Sequence, residues 1–415
     1  MESQAPAPVF DNLDELENPF QRKQFSTAHV LPDRSVAGAD TDYEYAWKFI
    51  YSYNGSSATF NAYRREIERL LQWSWRIARL SILELRREHL EDYIRFCQKP
   101  PAAWIGLKNV ARFVTRNGER VANPEWRPFV AGVSKVEHRA GVAPDKKQFV
   151  LSATAVQAIF SVLSSFFNFL IQEELTAANP ILLIRQKSKF LKKQQHKSPV
   201  RRISNLQWDF VLETAGRLAA AEPEIHERTL FVMNCLFAMY LRISELVADE
   251  RSTPTMGDFR RDMDGHWWFH VIGKGNKSRI VTVSDDMLEA LKRYRRHLDL
   301  TALPTPDDRT PLVQKNLGQG AITSTRQIRA IVQQCFDRSY ERMREEGLEE
   351  DAAELRTATV HWLRHTGISE DVKIRPREHV RDDAGHSSMQ TTDRYIESDL
   401  RERHASGRGK RLKER

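Results

Sequence analysis

The sequence predicts a mainly α-helical protein with a small antiparallel β-sheet, arranged as a helical domain followed by a mixed α/β domain. Three observations carry this. At 415 residues the chain is too long for one ordinary core, so two domains are expected. Apolar residues recur at helical spacing along most of its length. Residues 267–284, WWFHVIGKGNKSRIVTVS, read as strand, tight turn and strand.

Residues 1–42 are rich in Pro, Ala, Asp and Glu without sustained periodicity, and read as a flexible acidic leader with order beginning near Tyr43. Beyond it, Phe60, Tyr63, Ile67, Leu70 and Leu71 form a helical stripe, with Arg64, Arg65, Glu68 and Arg69 on the opposite face. A second stripe runs from Val156 through Ile159, Phe160, Leu163, Phe167 and Leu170 to Ile171. Thr154 is its expected cap and Asn179-Pro180 its expected end. These stripes place a helical domain at 43–184. Residues 100–145 interrupt it as an irregular insertion, with two short β-prone arms around Asn117-Gly118, a strong hairpin turn pair.

RQKSKFLKKQQHKSPVRR, residues 185–202, holds eight basic residues in eighteen and no acid, so 185–203 reads as a basic linker. Lys192, Lys193, Arg201 and Arg202 are its candidate phosphate contacts. The mixed domain, 204–400, has expected helices at 205–221, 228–247, 286–297, 325–346 and from Val360 onward. A basic tail, 401–415, follows.

Charge narrows the function. Residues 1–50 carry nine acids against four bases, which leaves 60 bases and 47 acids, a net of +13, on residues 51–415. Such an excess favours a polyanionic partner, nucleic acid above all. Three widely spaced cysteines without a CxxC pair suit a reducing compartment and offer no zinc site. The start has no basic stretch followed by an apolar run, and LFVMNCLFAMYL, residues 230–241, is too short to cross a bilayer. A cytoplasmic, nucleoid-associated protein with no membrane partner is expected.

Four stretches carry chemistry. In MYLRISELVAD, Arg242 emerges from an apolar run, and Glu245 three residues on is placed to orient a guanidinium. In VIGKGNKSR, Lys274 and Lys277 flank the tip of the expected hairpin. VHWLRHT puts His361 and Arg364 on one helix face, an imidazole and a guanidinium suited to a phosphodiester. AGHSSMQTTDRYI holds Tyr395 nine residues beyond His386; taken alone, a tyrosine on an amphipathic stretch is most often a packing residue.

In order and wording these stretches resemble the tyrosine recombinase (phage integrase) family, including its Xer-type enzymes. The match is densest in LRISEL, VIGKGNKSR, LRHT and GHSSMQTTDRY and looser over 205–400. The resemblance implies that 43–184 is a core-binding, DNA-binding domain and 204–400 the catalytic domain. It implies Arg242 and Arg364 as phosphate-binding arginines, Lys274 as the hairpin lysine, His361 and His386 as site histidines, and Tyr395 as nucleophile. It further implies site-specific recombination of double-stranded DNA through a 3′-phosphotyrosine. The protein would act as a homo-tetramer on two sites through a Holliday junction and as a monomer or weak oligomer when free, with an accessory protein or partner recombinase possible. With two arginines supplying positive charge, no metal, cofactor or ATP is called for. Either His361 or His386 is expected to take the tyrosine's proton. The rivals are a type IB topoisomerase, which reseals without exchange, and a catalytically dead DNA-binding protein.

Several positions depart from the family's usual pattern. Tyr240 stands where a glycine is common, and Ala384 where a leucine is. GISEDVKIRPREHVRDD, residues 367–383, replaces a longer apolar helix pair with charges and Pro376.

Overall fold

The computed structural model describes residues 5–16, 35–187, 190, 201–250, 252–273, 277–316, 320–393, 395 and 408. The chain forms two compact units, 1–196 and 197–415.

The first unit is helical. Helices α1 (Leu13–Leu16), α2 (Ala39–Tyr51), α3 (Ser57–Trp73) and α4 (Arg87–Gln98) precede the insertion. The insertion holds strands β1 (Ile105–Gly106), β2 (Phe113–Arg116), β3 (Glu119–Ala122) and β4 (Phe129–Val130) and helix α5 (Lys135–Arg139). Helices α6 (Ala153–Gln172) and α7 (Pro180–Lys187) follow. The expected hairpin is β2–β3, antiparallel, with Asn117 and Gly118 both at positive φ, as a two-residue hairpin turn requires. The stripe on α3 buries Phe60, Ile67, Leu70 and Leu71 against Phe49 of α2 and Phe166 and Phe167 of α6. Helix α6 is long and apolar enough to span a bilayer by composition, but Val156, Ile159, Phe160, Leu163 and Leu170 lie in this core.

Three expectations change here. The cap of α6 is Ser152 rather than Thr154, its hydroxyl accepting from the Ala155 N–H. Residues 5–16 of the supposed flexible leader are folded. Val9, Phe10 and Leu13 are buried in the core, and Phe10 stacks on Tyr43 at 5.2 Å. The backbone N–H groups of Val9 and Phe10 donate to Glu68, and Asp11 pairs with Arg120 of the hairpin. The segment's acidity thus has a basic partner far along the chain. Asn179-Pro180 also starts a helix rather than ending one: the Asn179 side chain accepts from the Ile181 N–H, and Pro180 occupies the first turn of α7.

The second unit contains α8 (Asn205–Ala221), α9 (Pro223–Ala238), strands β5 (Phe259–Arg261), β6 (Trp267–Ile272) and β7 (Ser278–Thr282), then α10 (Asp285–His297), α11 (Thr325–Glu345) and α12 (Glu349–Thr357). It ends with α13 (Val360–Ile374), α14 (Arg377–Ala384) and α15 (Met389–Asp393). Helix α9 is apolar on most sides because it is the central helix, burying Phe231, Val232, Met233, Cys235 and Leu236. The sheet is antiparallel in the order β5-β6-β7, with Phe259, Phe269 and Val281 aligned and buried across it.

The helix expected over 228–247 ends at Ala238. Tyr240 then adopts a left-handed backbone, φ 49°, which turns the chain so that Arg242 opens a short 3₁₀ turn, Ile243–Glu245. The charged 367–383 stretch packs well, because its charges are paired. Asp371 and Asp383 flank Arg375, while Ile368, Val380 and Ala384 form a small core with Tyr240 and Tyr395.

Candidate active site

Two chain reversals and one helix gather the site. The turn at Tyr240 delivers Arg242, helix α13 delivers Arg364, and α14 stops at Gly385, whose left-handed φ of 63° turns the chain into His386. That stop is a helix C-cap in which the His386 N–H returns to the Arg381 carbonyl at 3.0 Å.

Glu245 is the hub of the cations. Its side chain is 2 % exposed. It accepts from the Arg242 N–H at 2.7 Å and from the Arg242 guanidinium at 3.0 Å. It also accepts two parallel hydrogen bonds from Arg279, each 2.8 Å. Burial pushes the carboxyl up, but the Arg279 bonds and charge, with help from Arg242, outweigh it and hold Glu245 below the usual carboxylate range. Arg279 also donates to the Asp383 carbonyl at 2.9 Å, tying β7 to α14.

Arg364 is 4 % exposed. One of its terminal nitrogens donates to the Tyr240 carbonyl and the other to the Ala384 carbonyl. Both positions that depart from the family pattern therefore hold this arginine through their backbones. Burial, then the Arg242 charge, lowers the Arg364 guanidinium to about 10. The cluster is short of negative charge, a standing attraction for an anion.

Tyr395 is 8 % exposed. Its hydroxyl lies 2.7 Å from Nδ1 of His365. The His386 ring stacks on the Tyr395 ring, 5.7 Å away at 13°, and its Nδ1 meets the Thr392 hydroxyl at 2.9 Å. Burial, followed by Arg364 and Arg242, pushes the His386 imidazole down to about 4. His361 is exposed, with its ring 5.3 Å from that of His365.

Of the residues singled out from the sequence, Arg242, Glu245, Arg364, His386 and Tyr395 are thus brought together by these contacts, with His361 beside His365. Lys274 lies outside the described residues. Its neighbour Gly273 abuts the cluster, since a Cβ there would sit 3.3 Å from Glu245 Oε1 and 3.4 Å from Arg279. Lys277 is exposed. Lys192 and Lys193 also lie outside the described residues, Arg201 is exposed, and Arg202 is 3.9 Å from Glu370.

Sequence reasoning missed Arg279 and His365. Strand alternation was the available signal for Arg279, two residues before buried Val281. For His365 it was the i, i+4 spacing from His361. It also overlooked one grouping of metal-ligand type, Asp262, Asp264 and His266, exposed in the β5–β6 turn. There Asp262 accepts from the backbone N–H groups of Asp264 and His266 and from the Trp268 indole, so the turn itself uses the carboxylate.

Residues 213–402 match the model of the phage integrase family. The tyrosine recombinase XerD of Rickettsia prowazekii is 32% identical over 148 residues, 35% of this chain and 43% of that protein. XerC of Thermodesulfovibrio yellowstonii is 28% identical over 263 residues, 60% of this chain and 73% of that protein. The chain spans less than half the length of the first curated relatives it matches, 39%, 43% and 44%. Among solved structures, the XerH site-specific recombinase bound to palindromic difH substrate, a post-cleavage complex, superposes with a TM-score of 0.52. The identity is 14%, and 98% of this chain and 99% of that one are covered. At that identity the likeness bears on the fold alone.

Proposed function

Since the chain belongs to the phage integrase family of tyrosine recombinases, we propose that it is a site-specific DNA recombinase that breaks and rejoins strands through a 3′-phosphotyrosine. The observation that carries this reading is the hydroxyl of the buried Tyr395, hydrogen-bonded to an imidazole in the unit whose Arg242 and Arg364 form an anion-seeking cluster.

A tyrosine hydroxyl has an ordinary pKa near ~10, so it attacks phosphorus only where cations hold the phosphate and a base removes its proton. Arg242 and Arg364 are the phosphate clamp. Their remaining N–H groups bind the nonbridging oxygens and stabilise the charge that builds on them as the bond to Tyr395 forms. Lys274, one residue past Gly273, protonates the departing 5′ oxygen. Tyr395 keeps the strand as an ester, so the energy of the broken bond is conserved and a second strand rejoins without ATP. The helical unit and the 185–203 linker contact duplex DNA, and strand exchange runs in a homo-tetramer through a Holliday junction, as the family resemblance implies. The site of action is then the DNA of the cytoplasm.

The test is to trap covalent protein–DNA adducts in cells and sequence the attached DNA. The reading expects one recurrent site joined through Tyr395, and none with Tyr395→Phe. Adducts scattered over unrelated sequences would favour relaxation without exchange, and no adduct from the natural chain would reject catalysis.

A further inference from the structure

The family resemblance nominates His361 and His386 as the site histidines, yet among the described residues neither is hydrogen-bonded to the tyrosine hydroxyl. His386 turns the face of its ring to Tyr395, with Nδ1 occupied by Thr392. His361 is exposed and lies one helical turn before His365. The nitrogen that meets the hydroxyl is Nδ1 of His365, at 2.7 Å, inside the range a proton transfer requires.

We infer that His365 is the general base of the reaction, taking the proton of Tyr395 as the tyrosine attacks, an assignment that rests on the recombinase reading. Arg364 and His365 are consecutive on α13, and so project about 100° apart around the helix. One side chain reaches back to the Tyr240 and Ala384 carbonyls while the other reaches the hydroxyl. A single turn of helix therefore fixes the phosphate-binding cation against the proton acceptor. The chemistry of the nitrogen agrees. Burial, followed by the His361 and Arg364 charges, lowers the imidazole to about 4, so the ring is neutral near pH 7, and its Nε2–H tautomer leaves Nδ1 a lone pair to which the hydroxyl donates. A phosphodiester bound at the arginines brings a negative charge that offsets those cations and raises the basicity of His365 only when substrate is present.

The step balances. Tyr395 Oη bonds to phosphorus, and the phenolic proton passes to His365 Nδ1. The bond from phosphorus to the 5′ oxygen breaks with its electron pair on oxygen, and that oxygen takes a proton from the Lys274 ammonium. Rejoining reverses both transfers: the incoming 5′ hydroxyl returns its proton to the Lys274 amine, and the imidazolium returns its proton to the phenolate oxygen.

The experiment uses the full chain and a nicked duplex of the sequence recovered from trapped adducts, on which cleavage is irreversible. His365→Asn keeps an acceptor near the position of Nδ1 but cannot hold a proton. His365→Asn and His365→Ala should both bind the duplex as the natural chain does and form adduct at least about 100-fold more slowly, the usual scale of a lost general base. Adduct formation by His365→Asn at the natural rate would reduce His365 to holding the hydroxyl and overturn the assignment. In the DNA-free protein, the ¹⁵N shift of His365 Nδ1 should move on Tyr395→Phe, and no movement would refute the contact itself. Absence of any adduct from the natural chain, with that shift intact, would instead bring down the recombinase reading.

Discussion

The carbonyl of Tyr240 accepts a hydrogen bond from the buried guanidinium of Arg364, 124 residues away. It can do so because Tyr240 sits in the left-handed backbone region, where a glycine is easier to place. Here the tyrosine holds the position with its side chain. The ring is 1 % exposed, and its hydroxyl bonds to Asp371 and Arg375.

Tyr240→Gly should therefore destabilise the second unit, although it relaxes the backbone. Loss of the buried ring costs about 3–5 kcal/mol and the left-handed strain returns about 1, for a net of roughly 2–4 kcal/mol. Urea unfolding of the two proteins measures this, and a gain in stability would show that the ring packs poorly.

Glu245→Gln should leave Arg242 and Arg279 facing each other without a counter-charge. Breaking a buried pair from one side costs about 3 kcal/mol, so a loss of that order is expected at pH 7. The sign of its pH dependence follows from the lowered folded pKa of Glu245. Its stabilisation is complete above the unfolded value near ~4.3 and is lost as pH falls through the folded value. The gap between natural chain and variant should thus narrow in melts run progressively below pH 4, as roughly set by that reference value; a gap that stays constant would mean the carboxylate charge is immaterial.

Lys274→Ala should be rescued by a substrate whose 5′-bridging oxygen is replaced by sulfur. A thiolate, with a pKa near ~8.5, leaves without the proton an alkoxide needs. Arg242→Ala should stay defective on the same substrate, because its loss concerns the phosphate. Equal slowness of Lys274→Ala on both substrates would make it a DNA contact only.

DNA binding through the linker should depend on salt. Each phosphate contact contributes about one unit to the slope of log affinity against log salt, so changing Lys192, Lys193, Arg201 and Arg202 to Gln should flatten that slope on any duplex. Arg202, close to Glu370, should give the least of the four when changed alone. An unchanged slope for the quadruple variant would put these side chains in solvent.

Much of the fold was legible because its helices carry unbroken stripes. The α3 stripe from Phe60 to Leu71 buries as the periodicity requires, and Asn117-Gly118 makes the turn its residue types prescribe. The packing of residues 5–16 was illegible because Asp11 and Val9 meet partners 109 and 59 residues away, in a segment without sustained periodicity. The site was readable where chemistry is written in short strings, as in the arginines and Tyr395. It was not readable where a contact joins two strings. The meeting of His365 with Tyr395 depends on how α13 and α14 turn, and the pairing of Arg279 with Glu245 depends on the strand's register.

The three cysteines have no part in any of this, and that makes them useful. Cys97 is sealed in the core of the first unit, and Cys235 and Cys335 in that of the second, each 0% exposed. Burial pushes the thiols of Cys97 and Cys335 up to about 12 and that of Cys235 well above its ordinary value. A thiol reagent meets a reactive sulfur only when the surrounding unit opens. The unaltered chain thus carries two independent clocks, so timed labelling read by peptide mass would show which unit breathes first and which one DNA holds shut.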